Sequence, residues 1–342
     1  MDISTEAKRR RTFGIISHPD AGKTTITEKL LLYSGSIRLA GSVKSRKASR
    51  HAVSDWMKIE QERGISITSS VLQFQYLGSA LNLLDTPGHA DFSEDTYRVL
   101  AAVDSAVMLI DHAKGVESRT LKLFEVCRLR KLPVITFMNK LDRFGVDPLG
   151  LMDEVATTLN LKVVPMNWPI GMGTDFKGVV NLQTMEAFLF EGERHGAVAV
   201  KFTCLPWAEC AELVGETLHE EVTEEIELIQ MAGDEYTQEG FLAGEISPVF
   251  WGSAMNNFGV EPLLDFLALK SATPHSRETE SGETIEPTDE KFSGFIFKIQ
   301  ANMNPKHRDR VAFMRVVSGK FERGMSVIIG RNNETLKLAK PH

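Results

Sequence analysis

Cysteine is scarce, with three residues in 342, at Cys127, Cys204 and Cys210. They form neither the framework of a disulfide-stapled domain nor the paired spacing of a zinc site, which points to a reducing cytoplasm. Each reads as a small buried apolar residue. Long apolar runs are absent as well. The longest, around residues 99–110, is broken by Asp104 and falls short of a spanning helix. The run Phe13 to Ile16, behind the basic cluster Lys8-Arg9-Arg10-Arg11, is too short for a signal h-region. No targeting or membrane segment is therefore expected, and the chain reads as soluble. Repeats and low-complexity tracts are also missing. With 42% hydrophobic and 25% charged residues, collagen-like, coiled-coil and wholly disordered classes are excluded. The length corresponds to roughly two domains.

The net charge of −7 is unevenly spread: residues 1–50 balance at +7 and the remainder at −14. A basic front on an acidic protein suits an anionic partner such as a phosphate ligand or nucleic acid. A solvated basic arm accounts for the charge equally well.

The first 140 residues alternate strand-like runs (Thr12–Ser17, Ile67–Tyr76, Leu81–Leu84, Ala106–Ile110, Leu132–Met138) with helical patterns at Lys23–Leu32, Phe92–Ala102 and Glu117–Lys131. This predicts an α/β domain with a mostly parallel sheet. The sheet resumes at Ser247–Trp251, before a helix carrying Val260, Leu263, Leu264 and Leu267. Residues 162–245 read as an inserted subdomain, strand-rich and then acidic-helical, with Glu216, Glu220, Glu221, Glu224, Glu225 and Glu227 on a solvated helix face. The expected division is a domain over 1–271, a linker over 272–290 and, from 291 to 342, the beginning of an all-β barrel domain.

Five motifs follow, four at the end of a predicted strand and one, Glu62–Thr68, leading into one. Ser17-His18-Pro19-Asp20-Ala21-Gly22-Lys23-Thr24-Thr25 fits a phosphate loop, with Ser17 in place of the usual first glycine. Backbone N–H groups at a helix N-terminus suit a polyphosphate. Gly22 permits close approach, Lys23 supplies charge to the β/γ oxygens, and the Thr24 hydroxyl suits Mg²⁺. Leu83-Leu84-Asp85-Thr86-Pro87-Gly88-His89 places a carboxylate, Asp85, for Mg²⁺ and a Gly88 N–H for a γ-phosphate, with His89 near the attacking water. In Asn139-Lys140-Leu141-Asp142, the Asp142 carboxylate accepts from guanine N1–H and its exocyclic amine. Adenine lacks that donor pair, so discrimination is of order several kcal/mol. Asn139 would tie loops together and Lys140 would lie against base and sugar. Gly252-Ser253-Ala254 offers a backbone N–H to the guanine oxygen. Ser66, in Glu62–Thr68, offers a hydroxyl to Mg²⁺ when a γ-phosphate is present. Singly, each has a plainer reading as a turn, cap or strand-edge residue. Their order along one sheet edge predicts a guanine-nucleotide switch.

The Asp-Thr-Pro-Gly-His and Arg-Gly-Ile-Ser-Ile elements resemble those of the translational GTPases, and the 111 positions from Asp142 to Ser253 resemble the insertion of elongation factor G and of the class II peptide-chain release factors. The stretches RRTFGIISHPDAGKTTITEKLLL, DTPGHADFSEDTYRVL, TFMNKLDR and FKIQANMNPKHRDRVAFMRVVSG look most like the release factors. That resemblance implies a GTPase, with GTP or GDP and Mg²⁺. Its implied partners are the ribosome, including large-subunit rRNA, and the decoding (class I) release factors, whose dissociation it would promote; membrane and DNA partners are not implied. It also implies that rRNA positions His89 for hydrolysis, that Pro19 and Ile65 gate it, and that Asp20 helps neutralise charge, with a monovalent cation. The release factors continue beyond the barrel, so a chain ending at His342 reads as truncated. An elongation factor G-like translocase, a GTP-dependent binding module and an ATP-using enzyme are the alternatives.

Overall fold

The computed structural model describes residues 2–36, 70–86, 93–191, 201–301 and 310–339. It divides into two compact units, Arg11–Ala272 and a second made of Met1–Arg10 with Thr273–His342.

In the first unit, a seven-stranded sheet gathers β1 (Arg10–Ser17), β2 (Ser70–Tyr76), β3 (Ser79–Asp85), β4 (Ser105–Asp111), β5 (Val134–Asn139), β6 (Lys162–Pro165) and β11 (Ile246–Trp251). Their spatial order is β2-β3-β1-β4-β5-β11-β6. Every pair from β1 through β6 runs parallel, and β2–β3 is an antiparallel edge hairpin. All residues of β4, β5 and β11 are buried, which is why they read as unbroken apolar runs.

Helices α2 (Lys23–Tyr33) and α9 (Val260–Leu269) bring Ile26, Leu30, Leu263, Leu264 and Leu267 into one core with Phe13, Leu83, Leu109, Ile135 and Phe137. Three more helices serve this sheet: α3 (Ser93–Leu100), α4 (Ser118–Leu129) and α5 (Pro148–Leu159). The sequence reading left α5 unassigned, although its start is signalled. Asp147 caps Gly150 N at 2.9 Å and Pro148 occupies the first turn, where its missing N–H does no harm.

Lys162–Pro165, expected to open the insertion, is instead an edge strand of the main sheet, paired to β11. The inserted sheet is four antiparallel strands, β7 (Asn167–Ile170), β8 (Gly178–Asn181), β9 (Glu186–Glu191) and β10 (Lys201–Pro206), in the order β10-β9-β8-β7. Asn167 anchors it by mimicking a strand partner. Its side chain accepts from Trp251 N at 2.7 Å and donates to Trp251 O at 3.2 Å. Trp168 meets Trp251 edge to face.

After the short α6 (Ala211–Val214) comes the acidic helix α7 (Glu216–Ala232), which buries Val222 and Ile226. Five of its six glutamates are exposed, as expected; Glu225 is not, and it accepts from the Trp168 indole at 2.7 Å. Helix α8 (Gln238–Leu242) leads into β11. Cys127 and Cys210 are buried, but Cys204, on the outer strand β10 of its sheet, is exposed.

The second unit contains α1 (Ile3–Arg9), which buries none of its residues, and three two-stranded antiparallel ladders. These are β12 (Arg277–Glu278) with β13 (Thr284–Ile285), inside the expected linker, then β14 (Ser293–Ala301) with β15 (Arg310–Ser318), and β16 (Ser326–Ile329) with β17 (Glu334–Lys337). Arg9 and Arg10 of the basic cluster both reach Glu6, so the cluster's charge is partly neutralised locally.

Candidate functional site

Register brings the motif residues to one rim. Ser17 pairs with Leu109, Asp111 with Asn139, and Met138 with Trp251, so β1, β4, β5 and β11 finish side by side. The chain leaves β1 toward β3 and β2 on one side and returns to β4 on the other, which opens a crevice beyond the carboxyl ends. β3 ends at the same place, where the Thr86 hydroxyl donates to the Ile15 carbonyl.

Loop Ser17–Gly22 crosses that crevice into α2. Asp20 and Gly22 take left-handed φ values of 67° and 101°. A Cβ at Gly22 would collide with the Asn139 amide nitrogen, so only glycine closes this turn. As N-cap, Gly22 has no side chain to bond the first-turn N–H groups, and that turn holds no acidic residue. Such a helix start suits an anion. Lys23 and Thr24 are buried within it, and the Ser17 hydroxyl is buried with no partner among the described residues. Ala21 is buried, with its N–H on the His18 carbonyl at 3.3 Å. Pro19 and Thr25 complete the loop and the first turn. The His18 ring instead faces Glu117, at 3.3 Å.

Asn139 joins two loops that are far apart in sequence. Its amide donates to Ala21 O at 2.7 Å and its carbonyl accepts from Ala254 N at 2.9 Å. The tie expected of Asn139 is therefore in place, whereas the Ala254 N–H, expected to face a guanine oxygen, is engaged by it. Ser253 Oγ donates to Asp142 Oδ1 at 2.5 Å, which orients the carboxylate and leaves its second oxygen for a ligand. Paired backbone bonds between Ser253 and Phe258 brace that turn.

Lys140, expected on the base, bonds Asp111 Oδ2 at 2.5 Å. Burial pushes the Asp111 carboxyl up, but the Lys140 ammonium and the Ala113 N–H outweigh it and hold the group below its ordinary value. Asp111 was overlooked in the sequence; the signal was a second strand ending in Leu-Ile-Asp, like Leu-Leu-Asp85. Behind it sits His112, fully buried, with neither ring nitrogen partnered among the described residues. Burial lowers its pKa.

Ser66, Ile65, Gly88 and His89 lie outside the described residues, and of Asp85 only the backbone is described, closing β3. Among the described residues no group of three or more His, Cys, Asp or Glu could hold a metal, and no helix is long and apolar enough to cross a membrane. Magnesium ordinarily takes one or two protein oxygens plus phosphate, so the hard oxygen of Thr24 beside a phosphate cradle fits it.

Residues 291–342 match Elongation factor G domain 2. A solved structure of a protein from Thermus thermophilus superposes with a TM-score of 0.72 at 24% identity, over 96% of this chain and 48% of that one. The chain thus spans about half the length of that protein, and at this identity the likeness is one of fold. Residues 8–272 match the Elongation factor Tu GTP binding domain. A match over more than half of its length, on a rim built of a phosphate loop and an Asn-Lys-x-Asp turn, means that the chain belongs to the elongation factor Tu-type GTP-binding domain family of translational GTPases.

Proposed function

We propose that the chain binds GTP and GDP with Mg²⁺, hydrolyses GTP when bound to the ribosome, and acts in translation termination by promoting dissociation of decoding release factors. What supports the nucleotide part is that Asn139 donates to the Ala21 carbonyl and accepts from the Ala254 N–H, holding the Ser17–Thr25 loop and the Ser253–Ala254 turn together.

In this reading the N–H groups of Asp20 to Thr25 and the Lys23 ammonium hold the phosphates, and the Ser17 hydroxyl serves the same cradle. Asp142, oriented by Ser253, selects guanine through its second carboxylate oxygen. Thr24, Ser66 and Asp85 would hold Mg²⁺, which when bound neutralises charge on the β/γ oxygens. The Gly88 N–H marks the γ-phosphate, and His89, set by large-subunit rRNA, positions the attacking water. Positioning and electrostatics dominate phosphoryl transfer, so turnover away from the ribosome is expected to be slow.

The termination role rests on the release-factor-like stretches, above all FKIQANMNPKHRDRVAFMRVVSG. A translocase reading is equally compatible with the match to Elongation factor G domain 2. Post-hydrolysis ribosomes carrying a labelled decoding release factor separate the two. GTP-dependent loss of the label supports termination; tRNA translocation without that loss supports the translocase.

A further inference from the structure

A cavity of about 290 Å³ lies between α9 and the inserted sheet. Five phenylalanines line it: Phe188, Phe190 and Phe202 from the inserted sheet, and Phe250 and Phe266 from the main domain. Its size lies just under the ordinary range for drug-sized ligands. The walls are braced. Phe190 stacks face to face on Phe258, with centroids 4.3 Å apart and planes within 5°. Phe188 meets Phe202 edge to face, and Phe250 meets Phe266 likewise.

Into this apolar space α9 presents two carboxylates one turn apart, Glu261 and Asp265. Asp265 accepts from the Tyr76 hydroxyl at 2.8 Å. Glu261 makes no hydrogen bond or ion pair among the described residues, and Lys270, on the same wall, bridges neither acid. Burial, then the charge of Asp265, raises the Glu261 pKa, and burial raises that of Asp265. Two half-buried acids at i and i+4 repel each other, and a cation between them relieves that repulsion. The aromatic faces alongside add cation–π attraction.

We propose that this cavity is a binding site for a compact organic cation, an amine carried on an aromatic or branched apolar body. Charge complementarity chooses the amine, and the phenylalanine box chooses the body. An acidic or merely neutral molecule of the same shape satisfies only half of the site.

The test uses the whole chain and three isosteric probes: phenethylamine, 2-phenylethanol and 3-phenylpropionate, titrated by chemical-shift NMR. The amine is expected to bind about tenfold or more tightly than the alcohol, with the acid weakest. Glu261→Gln, at a half-exposed position, should bring the amine to the level of the alcohol. Gln183→Trp, at the exposed rim, should exclude all three probes, and it keeps the test open if the first variant folds poorly. Absence of amine binding, equal affinities for amine and acid, or undiminished amine binding in both variants would overturn the proposal.

Discussion

Replacing Asn139 by alanine removes both bonds between the phosphate loop and the Ser253–Ala254 turn, and leaves the buried Ala254 N–H unsatisfied. Each bond contributes about 0.5–1.5 kcal/mol net and the stranded donor costs about as much again, so a loss of about 1.5–4.5 kcal/mol is expected in denaturant unfolding, with weaker GDP binding on titration. Asp142→Asn keeps the carbonyl that Ser253 bonds but puts a donor where guanine also donates. Its preference should move toward xanthine nucleotides, read by competing XTP against labelled GTP.

His112 sets a pH dependence. Its folded-state pKa is lowered chiefly by burial, an effect that Lys140 reinforces and that Asp111, Asp142 and the Asn139 carbonyl oppose. The unfolded chain therefore takes the proton first as pH falls. Stability is fully present above about pH 6.5 and is lost below it, by at most about 1.4 kcal/mol per pH unit. His112→Ala should flatten that slope between about pH 6.5 and 5, whatever it does to absolute stability. Asp111, lowered in the folded state, contributes in the same direction but only near and below its ordinary value. Asn139, Asp142 and Ser253 could be grouped from the sequence because their chemical types and order suit a base-reading turn, and the structure joins Asp142 to Ser253 and Asn139 to the neighbouring Ala254 by hydrogen bonds. Lys140 was not, because its partner Asp111 lies 29 residues earlier and is met only when β4 and β5 pair.

At the scale of elements, the strands of the parallel sheet were the most readable part, since burial on both faces leaves β4, β5 and β11 nothing but apolar side chains. Edges were harder. Lys162–Pro165 is four residues long, and sequence order places it in the insertion, yet β11 slots between it and β5 only after the inserted region has been traversed. Pattern along the chain does not encode that return. Helix α5 was missed for a different reason: its cap is local and readable, and it buries Leu151, Met152, Val155 and Leu159, but Pro148 and Gly150 in its first turn read as loop residues. Asp147→Ala should cost about 1 kcal/mol in equilibrium unfolding, the ordinary value of an N-cap. Affinity for GDP should be unchanged, because Asp147 and the helix it caps are not part of the proposed phosphate or base contacts.

For the whole molecule, the proposed activity depends on a partner as well as on the rim. His89→Ala should lower ribosome-stimulated GTP turnover by about 10²–10⁴, measured by phosphate release, while leaving GDP affinity intact. Unaltered stimulated turnover would remove His89 from the chemistry. Neither the ribosome nor the termination role could be read from charge alone. The basic front is partly consumed where α1 meets β1, as Glu6 takes Arg9 and Arg10.

Asn139 also constrains the order of events during synthesis. Its acceptor partner in the phosphate loop emerges early, but its donor partner at Ala254 is made more than a hundred residues later, after the four-stranded insertion. A nascent polypeptide halted before that point has its Walker-type lysine in place yet no braced purine pocket. Under the proposed function, productive nucleotide loading is therefore expected only once the insertion has been translated and β11 has threaded back beside β5.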